Sequence, residues 1–252
     1  MRVIAIIQAR MTSSRLPGKV LLPLANKPVL EHIVERLKLS KKIDEIVIST
    51  SKENTDDPID NFASKNDIAL FRGSLNDVLE RYYFTAKLFR ADAIVRITGD
   101  CPLVDYKIVD QLITKFIRGN YDAFSLGGSF PDGLDCQVFS FSAIERAHHE
   151  ASLNSDREHV GTYIERPSSK KFKTGHYAKF TDLGHYRWTL DEQKDYDFLQ
   201  EIFNNLYKKN KPFSTKKVLS FLDKNPHLLK INDSIPRNEG YILSLTKDNN
   251  DV

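Results

Sequence analysis

Three cations and three hydroxyls fall in one short stretch near the start of the chain: Arg10, Arg15 and Lys19 with Thr12, Ser13 and Ser14, in the string Gln8-Ala9-Arg10-Met11-Thr12-Ser13-Ser14-Arg15-Leu16-Pro17-Gly18-Lys19. Guanidinium forks bind phosphate oxygens bidentately and a lysine places a point charge. Small residues such as Ser13, Ser14 and Gly18 let backbone N–H groups approach an anion. The set suits a triphosphate. It is not a Walker A loop, because the order G-x-x-x-x-G-K-[ST] is absent; the simpler reading is a solvated basic loop. Asp100 follows an apolar run and Gly99. A carboxylate there could hold Mg²⁺, a hard ion that bridges phosphates, or could simply cap the turn before Pro102.

These residues matter only if the chain brings them together. The first half alternates two periodicities. Val3–Gln8, the EIVIST run 45–50, 68–71 and Ala93–Thr98 are apolar runs of strand length, while 28–39, Asp57–Lys65, 74–89 and 105–118 carry helical spacing. Ser74 is the expected cap of the third helix, with Asp77 in its first turn; Pro58 fits the first position of the second. This βαβα order predicts a mostly parallel sheet with helices on both faces. In such sheets ligands sit beyond the carboxyl ends of the strands, which is where the basic loop and Asp100 fall. The second half is less regular. Phe130-Pro131-Asp132-Gly133 is a turn signal; 134–139, 172–177 and 186–190 read as strands, and 142–150, 195–208 and 214–224 as helices. Asp191, just before the 195–208 helix, reads as its N-cap. The polar tail 247–252 reads as mobile. With no repeat and no clear linker, 1–252 is expected to be one domain with a smaller lobe around 130–180.

The string Ala9, Arg10, Ser13, Arg15, Leu16, Pro17, Lys19 resembles the A-R-x-x-S-x-R-[LF]-P-x-K start of the cytidylyltransferases that make CMP-activated sugar acids, most closely the SpsF-like group of spore-coat polysaccharide biosynthesis proteins. Further strings carry the likeness along the chain: Phe71-Arg72-Gly73-Ser74 with Asp77-Val78-Leu79 and Arg81; Arg96-Ile97-Thr98-Gly99-Asp100-Cys101-Pro102-Leu103; Phe130–Gly133; Arg157-Glu158-His159-Val160; and Arg187-Trp188-Thr189-Leu190-Asp191. The resemblance implies a GT-A-like nucleotide-diphospho-sugar transferase fold, CTP and a sugar as substrates, a divalent metal such as Mg²⁺, pyrophosphate release and a homodimer. It assigns Arg10, Lys19 and Asp100 to catalysis and Asp100 with Asp191 to the metal. Ala9, Arg10, Ser13, Arg15, Lys19, Arg72, Gly73, Asp77 and Arg81 fall to the nucleotide. For Arg81 the simpler reading is an i,i+4 pair with Asp77.

The acceptor sugar falls to the irregular half, with Asp132, Gln137, Arg157 and His159 as its residues. Arg157 could hold a sugar carboxylate. His159 could be a general base, since its ordinary pKa lies near neutrality, although a helical histidine is more often structural. Two alternatives stay open: a GT-A glycosyltransferase, against which stands the missing second Asp in Asp100-Cys101-Pro102, and a nucleotide-binding protein without turnover.

Composition sets the limits. A net charge of +3 on 252 residues does not suit a nucleic-acid coat or a polybasic membrane anchor. No apolar run approaches the roughly 20 residues of a membrane span. The short run at Val3–Ile7 leads straight into Gln8 and Arg10 and reads as a strand, not a signal peptide. Two cysteines, Cys101 and Cys136, suit a reducing cytosol and give no disulfide framework or zinc site. The expected setting is cytoplasmic.

Overall fold

The computed structural model describes residues 1–166, 170–178, 183–208 and 211–237. The expected polar tail 247–252 lies outside them.

A continuous apolar run makes a strand that can be buried on both faces, and β1 (Val3–Gln8) lies at the centre of the sheet. Val3, Ala5 and Ile7 pack into one core and Ile4 and Ile6 into the other. On one side β1 pairs in parallel with β4 (Glu45–Ser51), which pairs in parallel with β5 (Ala69–Gly73). On the other side it pairs in parallel with β6 (Ala93–Thr98). A minor hairpin, β2 (Pro23–Leu24) and β3 (Lys27–Pro28), stands apart. Beyond β6 come β8 (Gln137–Ser140), β7 (Ala123–Leu126) and β9 (Thr174–Tyr177), giving the order β5-β4-β1-β6-β8-β7-β9. β8 runs antiparallel to both β6 and β7, while β9 is parallel to β7. β8 and β9, which fall within the range of the expected lobe, belong to the same sheet.

One face is covered by α1 (Val29–Leu37), α2 (Asp57–Lys65), α4 (Tyr106–Gly119), α8 (Gln193–Leu206) and α9 (Thr215–Lys224). The other carries α3 (Val78–Leu88), α5 (Phe141–Glu150), α6 (Asn154–His159) and α7 (Thr162–Glu165). No helix among the described residues is long and apolar enough to cross a membrane.

Several expected boundaries move. α3 is capped by Asp77, whose carboxylate accepts from Glu80 N–H at 2.8 Å, not by Ser74. α5 is capped by Ser140 and begins at Phe141, one residue before the expected start at 142. Residues 186–190 form no ladder strand; their backbone joins the Asp132 segment through a single bridge at Arg187. There Gly133, at φ 97°, lets the two chains touch: a Cβ would lie 2.4 Å from Thr189 N.

Candidate active site

The basic loop leaves the end of β1 and is tied down at both ends. Ala9 N–H donates to Ser49 O (3.1 Å) and Gly18 N–H to Met11 O (2.8 Å). Gly18, at φ 71°, then turns the chain into a single 3₁₀ turn that begins with Lys19. Met11 N–H donates to the buried Asp56 carboxylate at 2.7 Å. Asp56 also accepts from Thr50 Oγ1 (3.0 Å), Ser51 N (3.1 Å) and Ser51 Oγ (2.5 Å). Burial pushes this carboxyl up, but the four donors outweigh it and hold it below its ordinary range. Sequence reasoning missed Asp56; the only available signal was an Asp one residue before the Asp57-Pro58 helix start.

Lys19 reaches across the cleft between two carboxylates. Its Nζ lies 2.7 Å from Asp100 Oδ2 and 2.7 Å from Asp191 Oδ1. Burial works against the ammonium, but the two carboxylates outweigh it and hold it charged. Burial likewise raises Asp100, and Lys19 more than reverses that, leaving it well below the carboxylate range. Asp100 stands just past β6, where Gly99 N–H donates to Gln8 O at 2.8 Å and a Cβ on Gly99 would press within 2.9 Å of that oxygen. Leu190 N–H donates to Asp100 O at 2.9 Å, so the backbones carrying the two carboxylates are joined directly.

Asp191 is not the cap of α8. That role falls to Glu192, in a capping box with Asp195. Asp191 is therefore free to face the cleft, where Arg15 approaches at 3.1 Å and Arg187 at 3.3 Å. Arg187 is buried and divides its fork among Asp132 (3.2 Å), Asp191 and both Asp195 oxygens (2.9 Å each).

Two cavities open over these groups. The first, of about 660 Å³, is lined by Ala9, Arg10, Ser13, Arg15, Lys19 and Arg81, with Asp100 and Asp191 at its edge. The second, of about 950 Å³, is lined by Asp132, Gln137 and the 153–166 segment. They share Thr98, Asp100 and His159. The first also holds two buried polar atoms without a hydrogen bond, Gln8 Oε1 and Arg81 Nε. Burial and the nearby Arg10 lower the Arg81 pKa, so an anion is favoured beside it. His159 is followed by Val160 at φ 59° and ψ −56°, a γ-turn of the rare, strained hand closed by Gly161 N–H to His159 O at 2.6 Å. Strain of this kind persists where the surroundings over-determine it.

Not every expected residue reaches the cleft. Arg72 turns to α2, pairing with Asp57 (2.7 Å) and Asp60 (3.1 Å) and donating to Ser51 O and Glu53 O. Gly73 ends β5 against the Arg81 side chain. Arg81 does not pair with Asp77; it donates to Ser74 O and Leu75 O. Asp77 instead binds Arg157, whose fork also donates to His148 O at 2.6 Å. Arg157 therefore braces α6 against α3 and lines neither cavity. The arginines of the second cavity are Arg96 and Arg166. Asp132 is pushed up to about 7 by burial and by Asp135, against Arg237 and Arg187.

This geometry agrees with what the chain is similar to. The family model described as cytidylyltransferase matches residues 4–234. A solved cytidylyltransferase from Leptospira borgpetersenii serovar Hardjo-bovis is 37% identical, with a TM-score of 0.85 over 91% of this chain and 97% of that one. The spore coat polysaccharide biosynthesis protein SpsF of Bacillus subtilis is 31% identical over 231 residues, 89% of this chain and 95% of its own. The 8-amino-3,8-dideoxy-manno-octulosonate cytidylyltransferase of Shewanella sp. (strain ANA-3) is 32% identical over 199 residues, 75% of each. The glycosyltransferase and the binder without turnover give way, and the chain belongs to the cytidylyltransferase family.

Proposed function

We propose that the protein transfers CMP from CTP to a hydroxyl of a sugar acid in surface-polysaccharide biosynthesis, acting in the cytoplasm as a homodimer. The observation that carries this is the joined pair of cavities, cationic on one side of Asp100 and polar, with room for a second substrate, on the other. In the reaction the acceptor oxygen bonds to the α-phosphorus, the bond from that phosphorus to its bridging oxygen breaks, and pyrophosphate leaves. The protein's task is alignment and charge neutralisation. Arg10, Arg15 and Lys19 take the phosphates, and His159, at the junction, accepts the proton of the attacking hydroxyl.

Asp100 and Asp191 suit Mg²⁺. They are hard oxygen donors, and a cation, the Lys19 ammonium, already bridges them at 2.7 Å on each side. An ion held by two carboxylates completes its shell with phosphates and water. Bound there, Mg²⁺ would neutralise phosphate charge. The acceptor carboxylate falls to Arg96, since Arg157 is bound to Asp77 and His148 and Arg166 to Asp156.

A mass-spectrometric screen of CTP, UTP, GTP and ATP against a panel of acidic and neutral sugars, with pyrophosphate measured, tests the reading. CMP-linked sugar acids are the expected products. Turnover of another nucleotide, or of neutral sugars alone, would overturn it.

A further inference from the structure

A third cavity, of about 240 Å³, lies between the end of α1 and the chain that follows α8. None of its lining residues lines either cavity of the cleft. On α1 the apolar positions 29, 30, 33, 34 and 37 are buried, and His32 and Arg36, one turn apart, are buried with them at 1% and 4% exposure. Their neighbours are aromatic. The His32 ring packs on Phe203 and Tyr207, with centroids 4.4 and 4.8 Å away, and the Arg36 guanidinium carbon lies 4.3 Å from the Phe213 centroid.

Only one side of that guanidinium is engaged. Nη1 donates to Phe213 O at 2.9 Å and, more weakly, to Val104 O at 3.4 Å. Nε and Nη2 carry no hydrogen bond among the described residues, and Arg36 forms part of the cavity wall. Nor does a carboxylate form an ion pair with it there, because the two whose charge it feels most are engaged elsewhere. Asp105 accepts from Lys107 N, Thr215 N and Thr215 Oγ1. Glu35, also in the wall, is paired with Lys27 and accepts from Tyr207 Oη at 3.3 Å. Burial prevails over both and lowers the Arg36 pKa to about 10.

The Nε and Nη2 atoms of an arginine present two parallel N–H bonds, the edge that takes a carboxylate bidentately. A cation held out of water without its own counter-charge favours an anion that brings one. Lys38 and Lys211 add positive charge to the wall. His32 adds none: it donates from Nε2 to Leu24 O at 2.7 Å, and burial lowers its pKa. Leu39, Tyr207 and Pro212 supply apolar surface beside these cations. The volume falls below the roughly 300–1,000 Å³ of sites for drug-sized ligands, so the occupant is small. We propose that this cavity is a second binding site, for a small carboxylate on a flat apolar body of the benzoate type. Its charged end lies on the Nε–Nη2 edge of Arg36 and its ring against Tyr207, Leu39 and Pro212.

The test is a fluorine NMR titration of the full chain with 4-fluorobenzoate, run at saturating CTP so that the basic loop of the cleft is occupied. Two partial probes accompany it: 4-fluorobenzyl alcohol, which keeps the ring without the charge, and acetate, read by displacement, which keeps the charge without the ring. 4-Fluorobenzoate should bind at least about tenfold more tightly than either, the range of a charged hydrogen bond. Arg36→Lys keeps the charge but loses the edge, and should weaken binding by about tenfold. Lys211→Glu reverses a charge at an exposed position and leaves the buried packing in place. It should weaken binding several-fold at an unchanged melting temperature, so the site is tested even where Arg36→Lys does not fold. Failure of 4-fluorobenzoate to bind, equal binding of either partial probe, or unchanged affinity in Lys211→Glu overturns the inference. So does binding seen only without CTP, which would place the anion in the cleft.

Discussion

An ammonium between two carboxylates is a strong local arrangement, and at the residue scale it governs what the cleft can hold. Lys19 fills the point midway between Asp100 and Asp191. Phosphates arriving with their own divalent ion would draw the ammonium to themselves and release the two carboxylates to the metal. Asp100→Asn and Asp191→Asn should each lower kcat and shift the Mg²⁺ titration to higher concentration, because an amide is a poor ligand for a hard cation. Chelation of the metal should stop turnover in wild type. A lost helix cap cannot explain an Asp191→Asn defect, since Glu192 is the cap. Lys19→Ala should cost about 10²–10³ in kcat/KM for CTP, the usual effect of removing one preorganised charge donor. An unchanged Mg²⁺ titration in Asp191→Asn would remove it from the metal site.

At the element scale the loop owes its shape to an anchor outside it. Asp56 joins the end of β4, through Thr50 and Ser51, to Met11 in the loop. Met11 O in turn receives Gly18 N–H, one residue before Lys19. Asp56→Asn replaces an acceptor of four donors by a group that offers only one oxygen, so the CTP KM should rise about tenfold or more with the acceptor KM little changed. Ser51→Ala weakens the same anchor without touching Met11, and should lower stability but spare the CTP KM. If both variants move KM in step with melting temperature, the anchor is structural only. The carboxyl is depressed in the folded protein, so its stabilisation is present above its ordinary value of 3.8 and is lost as pH falls through the lower folded value. Asp56→Asn should flatten that acid limb of the stability curve.

The same scale shows what was legible in the sequence. β1, β4 and β6 are buried on both faces and therefore read as apolar runs; the loop and Asp100 were located through them. β7, β8 and β9 carry Ser125, Gln137 and His176 in the lining of the second cavity, so their apolar pattern is broken; β7 was not read and β8 was placed three residues early. The occupied fork of Arg157 could not be read either, because its partner Asp77 lies on another element, far away in the chain.

Across the whole molecule one buried cation holds the two halves of the cleft together. Arg187 contacts Asp191, which lines the first cavity, and Asp132, which lines the second. It also binds Asp195 in the first turn of α8 and donates to Pro236 O near the end of the described chain. Asn232 closes the ring, donating to Arg187 O at 3.1 Å and to Asp195 Oδ1 at 2.9 Å. Asp195 is fully buried, so it has no water to replace a lost partner. Removing one member of such a buried pair leaves the other charge uncompensated, at a cost of about 3–5 kcal/mol. Arg187→Ala should therefore lower the chemical-denaturation midpoint by far more than Arg146→Ala, which breaks only the exposed i,i+4 pair with Glu150. Arg187→Lys keeps the charge but loses the fork that serves three carboxylates at once. It should fold, with a smaller loss of stability, yet need more Mg²⁺ and show a higher acceptor KM, since both cavity walls lose their common support. A lysine variant impaired toward only one substrate would show that Arg187 serves one wall and that the two halves are held in place separately.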